Sequence, residues 1–156
     1  FMGGGIFFDR HGNDTYRAIS HSQGYAAHFA LGMFIDHSGD DRYNTGTDPL
    51  KITQILGGGR DLSFGCFVDG DGDDHYHFGN RSTGIGDLNG FGLFWDRGGD
   101  DSYTWHRNPV NRGSASMGRT MDLAPGMGIG TRVFGAPEGT RLGVFRDDHG
   151  MKLIVD

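Results

Sequence analysis

Carboxylates dominate the chemistry open to this chain, and they come at fixed spacing. In four places an Asp is followed at +4 by Asp or Asn and at +5 by Asp. The sets are Asp9, Asn13 and Asp14; Asp36, Asp40 and Asp41; Asp69, Asp73 and Asp74; and Asp96, Asp100 and Asp101. A Gly stands at +3 and a Tyr at +7 of each, and the third set adds Asp71. Oxygens in this pattern do one of two things. They accept backbone N–H bonds within a turn, as Asp side chains commonly do. Or they hold a hard cation, since calcium takes about 6–8 oxygen ligands. Asp69-Gly70-Asp71-Gly72-Asp73 has the alternating oxygens of a calcium loop, but Asn80 stands where an EF-hand needs a bidentate Glu. The candidate metal ligands are therefore Asp36, Asp40, Asp41, Asp69, Asp71, Asp73, Asp74, Asp96, Asp100 and Asp101, with Ca2+ as the expected ion. Both readings, structural turn acids and metal ligands, stand at this point.

Paired carboxylates also serve glycoside hydrolysis when about 5–10 Å apart. A catalytic site is singular, however, and these acids recur in every copy. Only Asp61, Asp71 and His77 break the repetition. No GxSxG, Walker loop or usefully spaced Cys–His pair is present. The GxGxxxG run at 84–90 belongs to the repeat and lacks a strand-to-helix context. A polysaccharide lyase or glycosidase is the alternative to a non-enzymatic protein. Of the eight histidines, His11, His37, His75 and His149 fall in the acidic turns. No HxH or HxxxH pair recurs, so they read as turn and surface residues. Tyr76, Tyr103 and Trp105 read as core rather than as a sugar-stacking strip.

The elements that carry the acids repeat with them. GIFFDRHGNDTY, GMFIDHSGDDRY, GCFVDGDGDDHY and GLFWDRGGDDSY share the pattern G-x-F-x-D-x-x-G-[DN]-D-x-Y. Their first acids, Asp9, Asp36, Asp69 and Asp96, are separated by 27, 33 and 27 residues. The longer interval implies a six-residue insertion near 45–51. A degenerate copy from Gly143 keeps Phe145, Asp147 and Gly150, with Met151 and Lys152 in place of the acidic pair and Ile154 in place of the Tyr. Residues 108–130 read as a worn copy or an excursion. The whole of 1–156 reads as one repeat domain and, starting inside an apolar run at Phe1, as a piece of a longer chain. Its repeats lie near 5–31, 32–64, 65–91 and 92–118, with the degenerate one at 131–156. Short β-branched and aromatic runs bounded by Gly and Asp-Gly turns are strand signals. Small residues at fixed places (Gly24, Gly57, Gly84; Ala26, Gly59, Gly86) imply close backbone contact. The predicted fold is all-β: a parallel β-solenoid, or β-helix, of about five coils. Hairpin-based antiparallel sheets or a barrel are the alternative. A propeller blade needs about 40–50 residues.

Stacked coils would set equivalent carboxylates about 4.8 Å apart. At an effective dielectric of 20 such a pair repels by roughly 3 kcal/mol. A row of Ca2+ ions could offset this, and so could Arg10, Arg42, Arg97 and Arg146, which lie in or beside the turns. The net charge of −6 argues against nucleic acid. No stretch reaches the ~20 apolar residues of a membrane helix. The single Cys66 reads as a buried thiol without a disulfide partner.

The repeat, with its upstream G-x-G elements, resembles Asp/Gly-rich repeats of bacterial envelope and secreted proteins. It is distantly similar to the calcium-binding nonapeptide repeats of RTX proteins, at three times their period. Asp69, Asp71 and Asp73 are also similar to the DxDxDG loop of FG-GAP propellers. The resemblance implies a secreted or cell-envelope scaffold or binding module. Expected partners are a polysaccharide or another envelope protein, with end-to-end self-association through the exposed last coil.

Overall fold

The computed structural model describes residues 2–48, 51–79, 81–106, 128–132 and 141–155. The chain is all-β, with no helix among these residues. Successive repeats lay one strand each into the same sheets. The first sheet holds β1 (Gly4–Phe8), β4 (Leu31–Ile35), β7 (Phe64–Asp69), β10 (Phe91–Asp96) and β13 (Arg141–Asp147), all parallel. β12 (Gly128–Arg132) covers the outer edge of β13 in the antiparallel sense. The second sheet holds β2 (Thr15–Tyr16), β5 (Arg42–Tyr43), β8 (His75–Phe78), β11 (Asp100–Trp105) and β14 (Gly150–Val155). The third holds β3 (Ala26–Ala27), β6 (Gly59–Arg60) and β9 (Gly86–Asp87). The strands on either side of each acidic turn, β7 and β8 for example, belong to different sheets. The turns are therefore corners, and the hairpin alternative is not realised at them.

Pairing is in register, so like residues face like residues. Gly5, Gly32, Gly65, Gly92 and Gly143 form one file, and Phe7, Phe34, Phe67, Phe94 and Phe145 another. Tyr16, Tyr43, Tyr76 and Tyr103 form a third on the second sheet. Rings stack within a file, with Phe67 and Phe94 centroids 5.1 Å apart and Tyr43 and Tyr76 centroids 4.9 Å apart. Between files they meet edge-on, as Phe67 meets Tyr76 at 83°. Both geometries suit the ring quadrupole. From Phe34 and Tyr43 onward these aromatics, with Ile52, Ile55, Leu56, Phe78 and Trp105, make the core. Tyr76, Tyr103 and Trp105 are thus packed inside, as expected, and Cys66 is buried.

On the glycine side the third sheet's approach closes onto the first, backbone against backbone. The Cys66 N–H donates to the Gly24 carbonyl and the Leu93 N–H to the Gly57 carbonyl, each at 3.0 Å. No side chain fits between. A Cβ on Gly65 would lie 2.0 Å from the Gly58 carbonyl oxygen, whereas one on Gly5, in the same file, would meet nothing within 4 Å.

The insertion sits where the spacing placed it. Tyr16 pairs with Tyr43, but Ser20 bridges Thr53, so the extra residues enter between Tyr43 and Thr53. Pro49, Leu50, Asn80 and 107–127 of the excursion lie outside the described residues. The last copy requires a correction. Tyr103 faces Leu153, not Ile154, and Asp100 and Asp101 face Gly150 and Met151. The turn after Asp147 is one residue shorter, which shifts all that follows.

Gly65→Ala is expected to cost about 3 kcal/mol or more through overpacking against backbone, while Gly5→Ala stays within about 0.5 kcal/mol. Urea unfolding of the two variants reads the contrast. Equal midpoints would show that the close approach is not what the glycine file serves.

Candidate metal centre

The turn that leaves the first sheet for the second carries its acids past one another. The first Asp of the later turns ends or directly follows a strand and points inward: Asp36, Asp69, Asp96 and Asp147 are all 2% exposed or less. The +4 residue points to solvent, so Asp40, Asp73 and Asp100 are exposed, as is Asp71. The +5 residue turns back inside, and Asp41, Asp74 and Asp101 are buried. The ten candidate ligands therefore divide into six buried and four exposed.

Each row forms a ladder between repeats, and the two ladders run in opposite directions. In the buried row the N–H of Asp14 donates to Asp41 Oδ1 at 2.6 Å, that of Asp41 to Asp74 Oδ1 at 2.7 Å, and that of Asp74 to Asp101 Oδ1 at 2.8 Å. In the exposed row the N–H of Asp40 donates back to Asn13 Oδ1, that of Asp73 to Asp40 Oδ1, and that of Asp100 to Asp73 Oδ1. Asn serves in this second row because its side-chain oxygen accepts as a carboxylate would, while its amide also donates to Asp40 Oδ2 at 3.4 Å.

The tyrosine file faces the first acids. Tyr16 donates to Asp9 Oδ2 at 3.0 Å or Asp36 Oδ2 at 2.7 Å. Tyr43 donates to Asp69 Oδ2 at 2.6 Å. The Tyr76 hydroxyl lies 3.0 Å from Asp69 Oδ2, 2.8 Å from Asp96 Oδ2 and 3.3 Å from Asp74 Oδ2. One hydroxyl proton faces three carboxylates. Tyrosines alone leave this row short of positive charge.

Burial accordingly acts against ionisation. It is the largest cause pushing the Asp41, Asp69 and Asp101 carboxyls up to about 7, Asp96 to about 8 and Asp74 to about 10. Neighbouring carboxylates add to it, while backbone N–H or tyrosine donors work the other way. The hydroxyls of Tyr43, Tyr76 and Tyr103 are held well above the ordinary tyrosine range by burial first and by the same acids second.

The arginines do not supply the missing charge. All four are exposed. Arg97 and Arg146 lie over the Trp95 ring at 5.6 and 5.0 Å, and Arg146 pairs with Asp148 at 2.6 Å. Among the described residues no ion pair reaches the six buried acids; the others join His28 to Asp61, Lys51 to Asp48 and Arg60 to Asp61. Two groups could hold a metal ion: Asp36, Asp41 and Asp69, and Asp74, Asp96 and Asp101. Within each, one oxygen per residue lies within 4.8 Å of the others.

The remaining candidates do not assemble. Asp71 is exposed in its turn, His77 sits on β8, and Asp61 follows β6 in a salt bridge with His28. His11 and His75 contact Ser38 and Ser102 on the neighbouring repeat, in keeping with turn and surface roles. Comparisons of the chain with protein-family models, with curated proteins and with solved structures return no match.

Two outcomes follow. A carboxyl whose pKa is raised on folding binds more protons folded than unfolded, between about pH 4 and its folded value. Its stabilising effect is full at low pH and is lost as pH rises through that value. Chelator-treated protein should therefore melt higher at pH 5 than at pH 8.5, each titrating carboxyl contributing up to about 1.4 kcal/mol per pH unit. A midpoint that rises over this range would show the buried acids ionised without cost. Tyr76→Phe, which removes the hydroxyl shared by three acids, is expected to cost about 1–3 kcal/mol. Tyr16→Phe, half-exposed and touching two, should cost less in the same denaturant titration.

Proposed function

We propose that the chain is a parallel β-solenoid that serves as a non-enzymatic scaffold or binding module, stabilised by Ca2+ in its acidic turns. What supports the solenoid is the succession of parallel strands, one from each of five copies in the first and second sheets and one from each of three in the third. What carries the cation reading is one observation: six buried carboxylates form a column that no basic side chain among the described residues enters. Calcium suits oxygen-only ligands in a flexible array. A secreted or cell-surface setting follows from the resemblance to bacterial envelope repeats and from calcium sites of extracellular modules, which work at about 10⁻⁴–10⁻³ M ion.

A polysaccharide or an envelope protein is the partner this reading supplies, together with self-association at an open end. β1 is exposed along its whole length, with Ile6, Phe7 and Phe8 uncovered, whereas the outer edge of β13 is covered by β12.

The test is a thermal melt at pH 7.5 with calcium and with EGTA. Saturation at 100 times Kd stabilises by about 2.7 kcal/mol, a shift of roughly 5–10 °C for a chain of this size. An unchanged midpoint at every calcium level would defeat the reading.

A further inference from the structure

We propose that the cations occupy two discrete interior sites, one ion each: Asp36, Asp41 and Asp69 form the first, and Asp74, Asp96 and Asp101 the second. This rests on the cation reading above and goes further, because it excludes the exposed acids of the same turns.

The tally of oxygens carries it. In the buried ladder Oδ1 of Asp41, Asp74 and Asp101 is taken by a backbone N–H, and Oδ2 of Asp36, Asp69 and Asp96 faces a tyrosine hydroxyl. Three inward carboxylate oxygens are left wholly buried without any hydrogen bond, Asp69 Oδ1, Asp101 Oδ2 and Asp147 Oδ2. The first two belong one to each group, while Asp147, on the last copy, belongs to neither. A buried carboxylate oxygen without a partner is costly, and a cation is the partner that three converging carboxylates select. Two oxygens on opposite sides of a calcium ion, at about 2.4 Å each, stand about 4.8 Å apart, and the oxygens of each group all lie within that distance of one another. Magnesium, with ligands at about 2.0–2.1 Å and several retained waters, fits a water-excluding column less well.

The exposed row lacks these features: the side chains of Asp40, Asp73 and Asp100 face solvent, and none of their oxygens is buried without a partner. The two proposed sites are not copies of one another. The first takes both acids of the second repeat and one of the third, and the second takes the other acid of the third repeat and both of the fourth. The third repeat is thus shared, and Tyr76 stands between, touching Asp69 of one site and Asp74 and Asp96 of the other.

That tyrosine provides the readout. Terbium(III) replaces calcium at oxygen sites and emits when a nearby tyrosine is excited. Chelator-stripped protein is titrated with Tb3+ alone, and bound calcium is counted separately by elemental analysis after dialysis. The wild type is expected to bind two ions with strong tyrosine-sensitised emission. Its decay should be nearly the same in H2O and D2O, because few waters reach the ion. Asp69→Asn and Asp101→Asn, which keep the side-chain shape and remove a buried charge, should each bind one ion and lose about half of the calcium-dependent melting shift. The triple variant Asp40→Asn, Asp73→Asn, Asp100→Asn should still bind two. Should either single variant fail to fold, the triple variant and the wild-type decay still decide. Retention of both ions in folded Asp69→Asn and Asp101→Asn, loss of ions in the triple variant, or a strongly hydrated decay would overturn the assignment while leaving a chelator-sensitive midpoint in place. A midpoint indifferent to chelator, with no ion bound, would remove the cation reading as well.

Discussion

Parallel, in-register pairing is the constraint from which the rest follows. It places every side chain one strand spacing from its own kind in the next repeat, so whatever a position carries is multiplied along the column. For Phe and Tyr the multiplication is favourable, since offset rings stack and the two files interlock edge to face. For Gly it lets two backbones close on each other without a side chain between. For Asp it is unfavourable unless the oxygens find donors. The turns provide them by running two ladders in opposite directions, so that each repeat is tied to the one before and the one after. Hydrogen bonds to a charged acceptor contribute about 1.5–3 kcal/mol each, comparable with the repulsion they oppose.

The same motif has different chemistry depending on where it falls in the column. Asp9, Asp14 and Tyr16 have the sequence pattern of the inner repeats, yet all three are partly exposed, with a described repeat on one side of them only. Asp69 and Asp74, with repeats on both sides, are fully buried. The chemistry of these acids is therefore a property of the stack rather than of the twelve-residue motif. An isolated repeat would have ordinary, solvated carboxylates.

Much of this was legible beforehand, and what was not has physical reasons. The period, the strand runs and the corner glycines were readable because a repeat announces itself by spacing alone. The division of the acids was not, since Asp40 and Asp41 are chemically identical and differ only in which way the chain turns. One sign of it lies in the sequence: Asn13 replaces Asp at +4, but the +5 residue is Asp in all four copies. The shortened last turn was missed because a single deletion between Asp147 and Gly150 leaves both flanking strands with a plausible pattern. The left-handed doublets His28-Phe29, Asp61-Leu62 and Leu88-Asn89 were also missed. Those corners use ordinary residues where glycine would have been the signal, and equivalent residues hold them by bonding from repeat to repeat, as Phe29 N–H does to the Asp61 carbonyl.

The arginines, the natural first choice as neutralisers, fail for a reason built into the repetition. A basic residue at a fixed place in the motif would itself be stacked, adding a row of like charges beside the row it relieves. Its long side chain would also have to enter a column already filled by aromatic rings. Arg97 and Arg146 lie outside instead, over Trp95. Tyrosine supplies a donor without a charge and stacks favourably, which accounts for its place at +7, but it gives only one proton per repeat against two buried carboxylates. The remaining deficit does not recur once per repeat. It gathers into two groups spread over three repeats, a ratio that no residue encoded once per motif can match. An exchangeable neutraliser, a proton or a cation, can match it, because it is free to bind wherever the charge accumulates. Solution conditions then enter the stability of the fold directly, through acids that the stack alone has buried.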